Sequence, residues 1–390
     1  MDPSTCISER GPFEALCDAL AATPRIAFDM EFVPEDTYYP DLCLLQVATE
    51  DHVVAVDLLA VGGPEPFFEA VLIPGKQIVV HAGRGELCAC RLHTGHVPQG
   101  VFDVQLAAGL VGLGYPLSYE RLVGRTLDRR VRTSETRTDW RKRPLTREQV
   151  EYALDDVRYL LPLQDHLARE IARRGRERWI ESEVQRLLRA VDDENGERFR
   201  RVPGAGGLSP RELAVLRELF AWREERAQRL NRPVRRVLRD DLLIECAKRQ
   251  PQSLEALGRI RGLDGTARSG WARDLVQSVA RGAAVPEGEC PARHGGRVHP
   301  EDQTVLKLLG AMLVHIAREN EVAGELLGTN EDLRDLTLWC ATGRPEQAKP
   351  RLARDWRAEA CGDRLIALLE GRVRLSIRQA NGAYELAFDE

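Results

Sequence analysis

The 390-residue chain has no low-complexity tract and no short tandem repeat. No apolar run reaches the ~18 residues that a membrane-spanning helix needs, so a membrane protein is excluded. The first ten residues carry charge and proline and lack an apolar core, which argues against a secretory leader. Cysteine is present but not in a metal pattern. The only close pair, Cys88 and Cys90, is separated by one residue, which is not zinc-finger spacing. The odd count of nine suits reduced thiols and a cytoplasmic location rather than a disulfide scaffold. What remains is 43% hydrophobic and 30% charged, enough for a core in each of two or three domains of ~100–200 residues.

The net charge of −5 does not by itself point to a nucleic-acid partner. It hides an asymmetry, since Leu208–Arg281 carries +6 and the rest of the chain −11. A basic module on an acidic remainder fits phosphate binding, because local patches hold a polyanion. It fits equally a helical domain with solvated arginine faces.

Periodicity divides the chain. Helical spacing covers Phe13–Ala22. Alternation over Ile26–Phe32 predicts a strand with Ile26, Phe28, Met30 and Phe32 on one face and Ala27, Asp29 and Glu31 on the other. Leu42–Thr49 and Val53–Leu58 read as a hairpin and Gln77–His81 as a buried strand. Helices are expected over Glu86–Leu92 and Val104–Leu113. Thr146 and Gln149 form a capping box that opens a long helix, with apolar residues from Val150 to Leu161. Strands followed by helices and further strands indicate an α/β domain with a mixed sheet. Pro203–Gly207 reads as a linker. Leu208–Gly282 is helical in pattern, Pro286–Gly296 is a second break, and helical spacing returns over Pro300–Gly371. Alternation on both sides of Asn381-Gly382 signals a terminal hairpin.

Asp29 and Glu31 project from one strand face. They are either solvated carboxylates or half of a divalent-cation site, because two close carboxylates repel unless a cation lies between them. Tyr152 and Asp156 lie four residues apart on the later helix and therefore share a face. The order DxE on a first strand and YxxxD on a late helix is more specific than either pair. Arg129–Arg143 holds seven basic and two acidic residues just before that helix. Guanidinium forks suit phosphate oxygens, although internal pairs such as Asp139–Arg143 are the alternative. Asp103 reads as a helix N-cap and His81 as a packing residue. Trp222, Trp271, Trp339 and Trp356 fall at core positions.

These motifs resemble the ribonuclease D family of the DEDD superfamily of 3′-to-5′ exonucleases. The matching stretches are FDMEF (28–32), TYYPDLCLLQVAT (37–49), HAGRGEL (81–87), FDVQLAA (102–108), ETRTDWRKRPLT (135–146) and EYALDDVRYLLPL (151–163). The region from Leu208 resembles an HRDC domain, and the part around Asp355-Trp356-Arg357 a second, HRDC-like one. The resemblance implies an RNase H-like exonuclease domain with a mixed sheet over 1–203 and all-α HRDC-type domains over 208–285 and 298–371; the hairpin at 372–390 lies outside the resemblance. It also implies hydrolysis with two divalent cations, Mg²⁺ or Mn²⁺. Asp29 would bridge both ions, Glu31 and Asp156 would hold the one that binds water, and Tyr152 would orient that water. The family's second-motif Asp is Glu86 here, one methylene longer, which predicts a slower enzyme.

The expected substrate is an RNA 3′ end, trimmed to nucleoside monophosphates as in processing of tRNA precursors or other structured RNA. Arg137, Arg141, Lys142 and Arg143 are the expected phosphate contacts, and the HRDC module would add nucleic-acid binding. A monomer without membrane association is expected. The alternatives are a weakly active or inactive nuclease fold that binds RNA, motivated by Glu86, and a 3′-to-5′ exonuclease of single-stranded DNA.

Overall fold

A computed structural model describes residues 6–33, 36–132, 138–192, 198–263, 270–291, 302–380 and 383–389. The chain forms two compact units. The first combines residues 1–31, 42–192 and 295–390, and the second combines 32–41 with 193–294.

The first unit is built on a six-stranded mixed sheet. Its strands are β1 (Cys6–Ile7), β2 (Arg25–Val33), β3 (Asp41–Ala48), β4 (Val53–Asp57), β5 (Gln77–Val80) and β6 (Val101–Asp103), in the order β1-β4-β3-β2-β5-β6. β3 and β4 are antiparallel, as a short turn requires, and β2, β5 and β6 run parallel. The short strands β1 and β6 were not expected from the sequence. Between and after the strands come α1 (Arg10–Ala22), α2 (Leu58–Val61), α3 (Glu65–Val71), α4 (Arg84–Thr94), α5 (Val104–Leu110), α6 (Tyr119–Leu127), α7 (Arg147–Arg158), α8 (Leu160–Arg173) and α9 (Glu177–Asp192).

β2 is an inner strand. Ile26, Ala27 and Phe28 are all fully buried, so both of its faces are covered at this end. Phe28 meets Phe67 edge-on with centroids 5.0 Å apart, a favoured aromatic geometry. The long helix expected from Thr146 is two helices, with the break at Tyr159. Pro162 explains it: its ring crowds the carbonyl four residues back and it has no N–H to donate there.

The helices after residue 301 belong to this first unit: α15 (Asp302–Glu319), α16 (Gly324–Leu327), α17 (Asn330–Ala341), α18 (Asp355–Arg357) and α19 (Asp363–Leu369). Trp356 stacks on Trp179 of α9 at 4.6 Å. The Arg357 guanidinium donates to the fully buried Glu183 at 2.6 Å. A buried polar core therefore joins the region expected as a separate domain, 298–371, to the nuclease helices. The tail forms an antiparallel pair, β7 (Arg374–Ala380) with β8 (Ala383–Asp389). The Asn381-Gly382 turn lies outside the described residues.

The second unit is helical: α10 (Pro210–Leu230), α11 (Val234–Val237), α12 (Asp240–Arg249), α13 (Leu254–Gly258) and α14 (Ala272–Ala283). Ser209 and Glu212 cap α10 reciprocally. Gly282 allows α14 to touch α10 directly, since a Cβ there would lie 2.4 Å from the Val215 Cα. Phe199, Val202 and Ala205 are buried in this unit's core. The segment expected as a linker at 203–207 therefore lies inside this unit, anchored by Ala205, with Pro203, Gly204, Gly206 and Gly207 exposed. Residues 36–41 join the same unit, where the Tyr38 hydroxyl donates to Glu224 at 2.8 Å.

Candidate active site

The sheet register brings the acidic residues together. β2 and β5 pair in parallel with Ala27 opposite Val79. Two residues on, Asp29 is level with His81, where the chain turns into α4. That turn is held by Asp103 at the end of β6. One Asp103 oxygen caps α5 by accepting from the Gln105 and Leu106 N–H groups. Its carboxylate also accepts from Ala82 N at 3.2 Å and Gly83 N at 3.1 Å. Asp103 is thus the helix cap that the sequence suggests, and it also fixes the start of α4. Gly83 is required at that point, because a Cβ would lie 2.3 Å from a Val80 methyl. Glu86 then falls in the first turn of α4 and is buried. His81 has a packing role: its Nε2 donates to the Leu117 carbonyl at 2.9 Å, and its ring meets Tyr119 edge-on.

The second half of the site is on α7. The expected capping box is present, with Thr146 Oγ1 accepting from Gln149 N and Gln149 Oε1 from Thr146 N. Ala153, Leu154 and Val157 are fully buried and orient the helix. Tyr152 and Asp156 share the flanking face, and the Tyr152 hydroxyl donates to the Asp156 carboxylate.

Asp29 is the electrostatic centre. Burial raises its own carboxyl above the usual range. This is relieved by the Met30 N–H at 2.9 Å, by a hydrogen bond from Glu86 and by the charge of His81. Burial and then the Asp29 charge raise Glu31 to about 8. Burial, Asp29 and Glu31 raise Asp156 to about 9. Glu86 is raised well above its ordinary value by burial and by Asp29. The Tyr152 phenol is raised by burial and then by Asp156, Glu31 and Asp29. The other four expected residues of the cluster therefore lie within the field of Asp29, and each carboxyl is held toward its neutral form. Among the described residues no three acidic, His or Cys side chains stand at ion-holding distance; Glu86 and Asp29 share a hydrogen bond instead. The donor set, carboxylate oxygens only, fits hard divalent cations.

The basic segment behaves differently from expectation. Arg137 lies outside the described residues. Arg141 Nε donates to Asp139 at 3.1 Å. Arg143 is a structural anchor: its guanidinium donates to both Asp57 oxygens at 2.5 and 2.6 Å and to the carbonyls of Cys43 and Trp140. It ties the loop before α7 to the sheet and is not presented to a substrate. Lys142 is exposed, and its charge acts on the Asp139 carboxylate. The sequence reading also missed Trp140. Its ring is 4% exposed and stacks on Tyr152 at 6.2 Å and 29°. A single tryptophan inside a run of arginines was the available signal.

The chain is similar to known proteins. Residues 5–172 match the 3′-5′ exonuclease family model and 212–279 the HRDC domain model. The ribonuclease D of Jannaschia sp. is 37% identical, covering 93% of this chain and 95% of that protein. The ribonuclease D of Nitrobacter hamburgensis is 33% identical, covering 96% and 97%. The chain belongs to the ribonuclease D family. Its fold agrees with the crystal structure of Escherichia coli RNase D, described as an exoribonuclease involved in structured RNA processing. The TM-score is 0.75 at 28% identity, covering 94% of this chain and 98% of that one. As a ribonuclease D family member the protein is a 3′-to-5′ exonuclease with an HRDC domain.

In the region of net charge +6, several arginines are paired with carboxylates of the protein. Arg223 is buried and donates to Asp240 at 2.7 Å. Arg229 pairs with Glu225, Arg235 with Asp240 and Arg236 with Asp36.

Proposed function

We propose that the protein hydrolyses RNA one nucleotide at a time from its 3′ end, at Asp29, Glu31, Glu86, Tyr152 and Asp156, with two divalent cations. The observation that carries this is the position of Asp29, whose charge raises three other carboxyls at once. A cluster that holds its own protons when empty is one that a divalent cation would discharge and ionise. When bound, such cations lower the pKa of an attacking water and neutralise charge on the leaving 3′ oxygen. Asp29 would serve both ions, and Glu31, Asp156 and Glu86, which all lie in its field, would supply the other carboxylates. The Tyr152 hydroxyl, already directed at Asp156, would orient the water. Asp103 acts through the backbone of residues 82 and 83 to keep Glu86 in place.

The substrate class we infer is structured RNA, such as tRNA precursors, with the HRDC unit of about 208–285 extending the footprint and the chain acting as a monomer. Digestion of 5′-labelled single-stranded RNA and DNA with Mg²⁺, Mn²⁺ or EDTA tests this. A ladder shortened by single nucleotides, dependent on the cation and faster on RNA, is expected. Internal cuts appearing first, or activity that survives EDTA, would overturn it.

A further inference from the structure

The arginines expected to grip phosphate at 137–143 are engaged inside the protein or fall outside the described residues. A different set stands open. α6 and the loop after it enclose a solvent-facing cleft of about 490 Å³ lined by Arg121, Arg125, Arg129 and Arg130, with Glu120 the single acidic residue in its wall. All four arginines are exposed. Several exposed arginines elsewhere among the described residues sit in ion pairs, such as Arg10–Glu14, Arg173–Glu170 and Arg259–Glu255. Among the described residues none of these four has a carboxylate partner, and the only hydrogen bond among them is from Arg125 to the Leu113 carbonyl. Gly124 forms the floor. A Cβ there would meet nothing closer than the Arg129 carbonyl at 3.7 Å, so the cleft is not filled from below.

The cleft is tied to the catalytic helix. The hydroxyl of Tyr119, the first residue of α6, donates to the Asp155 carbonyl at 3.0 Å and accepts from Tyr159 N at 3.1 Å. These bonds bracket Asp156. Arg132, just beyond the cleft, reaches Glu151 of α7 at 3.6 Å. A strand held in the cleft is therefore indexed to the carboxylate cluster through one short, buried connection.

We propose that this cleft binds phosphates of the RNA strand upstream of the nucleotide being removed. The inference rests on the exonuclease reading above and adds where the strand is held. Four unneutralised cations repel one another in the free protein, which phosphate oxygens relieve. Planar guanidinium forks match those oxygens in pairs and carry no base preference. A site of this kind gives affinity that grows with substrate length, with no effect on the chemical step.

The test uses the full chain and the triple variant Arg121→Gln/Arg129→Gln/Arg130→Gln. Binding of a 5′-fluorescent oligoribonucleotide of about a dozen residues is followed by anisotropy in EDTA, and turnover of the same oligomer and of a dinucleotide in Mn²⁺. Affinity for the oligomer is expected to fall about tenfold, and its dependence on salt to become shallower by about 2 in the log–log slope, at ~0.7 per lost contact on a single strand. KM for the oligomer should rise in step, while its kcat and the dinucleotide rate stay as in the wild type. Glu120→Gln, which removes the one acid, should tighten binding and controls for loss of fold. Unchanged oligomer affinity and salt slope in the triple variant would overturn the proposal and leave the cleft to a protein partner. A wild type that binds the oligomer but releases no nucleotide from either substrate would instead overturn the exonuclease reading, and the anisotropy result would still decide the cleft.

Discussion

The Glu86 carboxyl donates a hydrogen bond to the Asp29 carboxylate, so the residue read from the sequence as one methylene longer than the family's is bonded to the proposed central ligand. The extra methylene is accommodated inside the apo cluster by a shared proton. Glu86→Gln retains a donor for Asp29 and should leave the thermal stability of the cation-free protein near that of the wild type. It removes a negative charge from the site and should lower the single-turnover rate about 100-fold, the cost of misplacing a reacting group by ~1 Å. Glu86→Asp, with the shorter side chain, should raise the rate in Mg²⁺. Equal rates for all three proteins in Mg²⁺ and Mn²⁺ would place Glu86 outside the site.

Stability without cations should fall as pH rises. Glu31 ionises near 8 and Asp156 near 9 in the folded state, against about 4 in an unfolded chain. Below about pH 4 both states are protonated and these groups contribute nothing. Above it the unfolded chain releases its protons first, so stability declines until the folded groups ionise near 8 to 9. Divalent cations bind the ionised cluster, so their stabilising effect should grow across the same interval. Melting curves from about pH 5 to about pH 9, with Mg²⁺ or EDTA, measure both trends. Asp156→Asn should flatten the first and weaken the second; an unaltered pH profile in that variant would refute the assignment.

The parts of this fold set by local pattern were legible beforehand. Asp29 and Glu31 on one strand, the Thr146 capping box and the tail hairpin follow from periodicity and caps. Pairings across the chain were not. Nothing near Arg143 in sequence announces Asp57, 86 positions away, and its place in a basic run suggested a phosphate instead. The same holds for Glu183 and Arg357, which join a region that reads as independent to the nuclease helices. β1 and β6 are too short to carry an alternation of their own and exist because a neighbouring strand pairs with them.

Trp140 lies flat against Tyr152, and Arg143 holds the loop that carries it. Trp140→Ala should cost about 3–5 kcal/mol, as expected for deleting a buried large aromatic, and free the Tyr152 ring. Its kcat should fall roughly 10- to 100-fold with little change in KM, as for a misoriented water. Trp140→Phe keeps a ring against Tyr152 and should recover most of both losses. Tyr152→Phe should reduce kcat while leaving stability almost unaltered. A Trp140→Phe protein as slow as Trp140→Ala would mean that the indole contributes something other than packing.

The buried pair between α9 and α18 makes a different, acid-sensitive contribution. Glu183 is fully buried, accepts from Arg357 Nη1 at 2.6 Å, from Trp356 Nε1 at 3.1 Å and from Arg186 at 2.8 Å. Burial opposes its charge, but the Arg357 and Arg186 guanidiniums prevail and depress the carboxyl to about 2. A depressed folded pKa gives stability that is present above the unfolded value near 4.3 and lost as pH falls toward 2. Glu183→Gln leaves the Arg357 charge buried without its counter-ion and should cost about 3–5 kcal/mol. Its stability should also be less sensitive to acid between about pH 5 and pH 2. Arg357 donates to the Leu326 carbonyl at 2.6 Å as well, so Arg357→Met takes one cation from Glu183, which keeps Arg186 and the Trp356 indole, and one donor from a carbonyl that keeps Arg351, and should also be destabilising. The double variant Glu183→Gln/Arg357→Met removes both charges, and its loss should be smaller than the sum of the singles by more than ~1 kcal/mol. Urea denaturation of the four proteins measures the coupling. Strict additivity would show that the two side chains stabilise this region independently, each through its own carbonyl or indole partner.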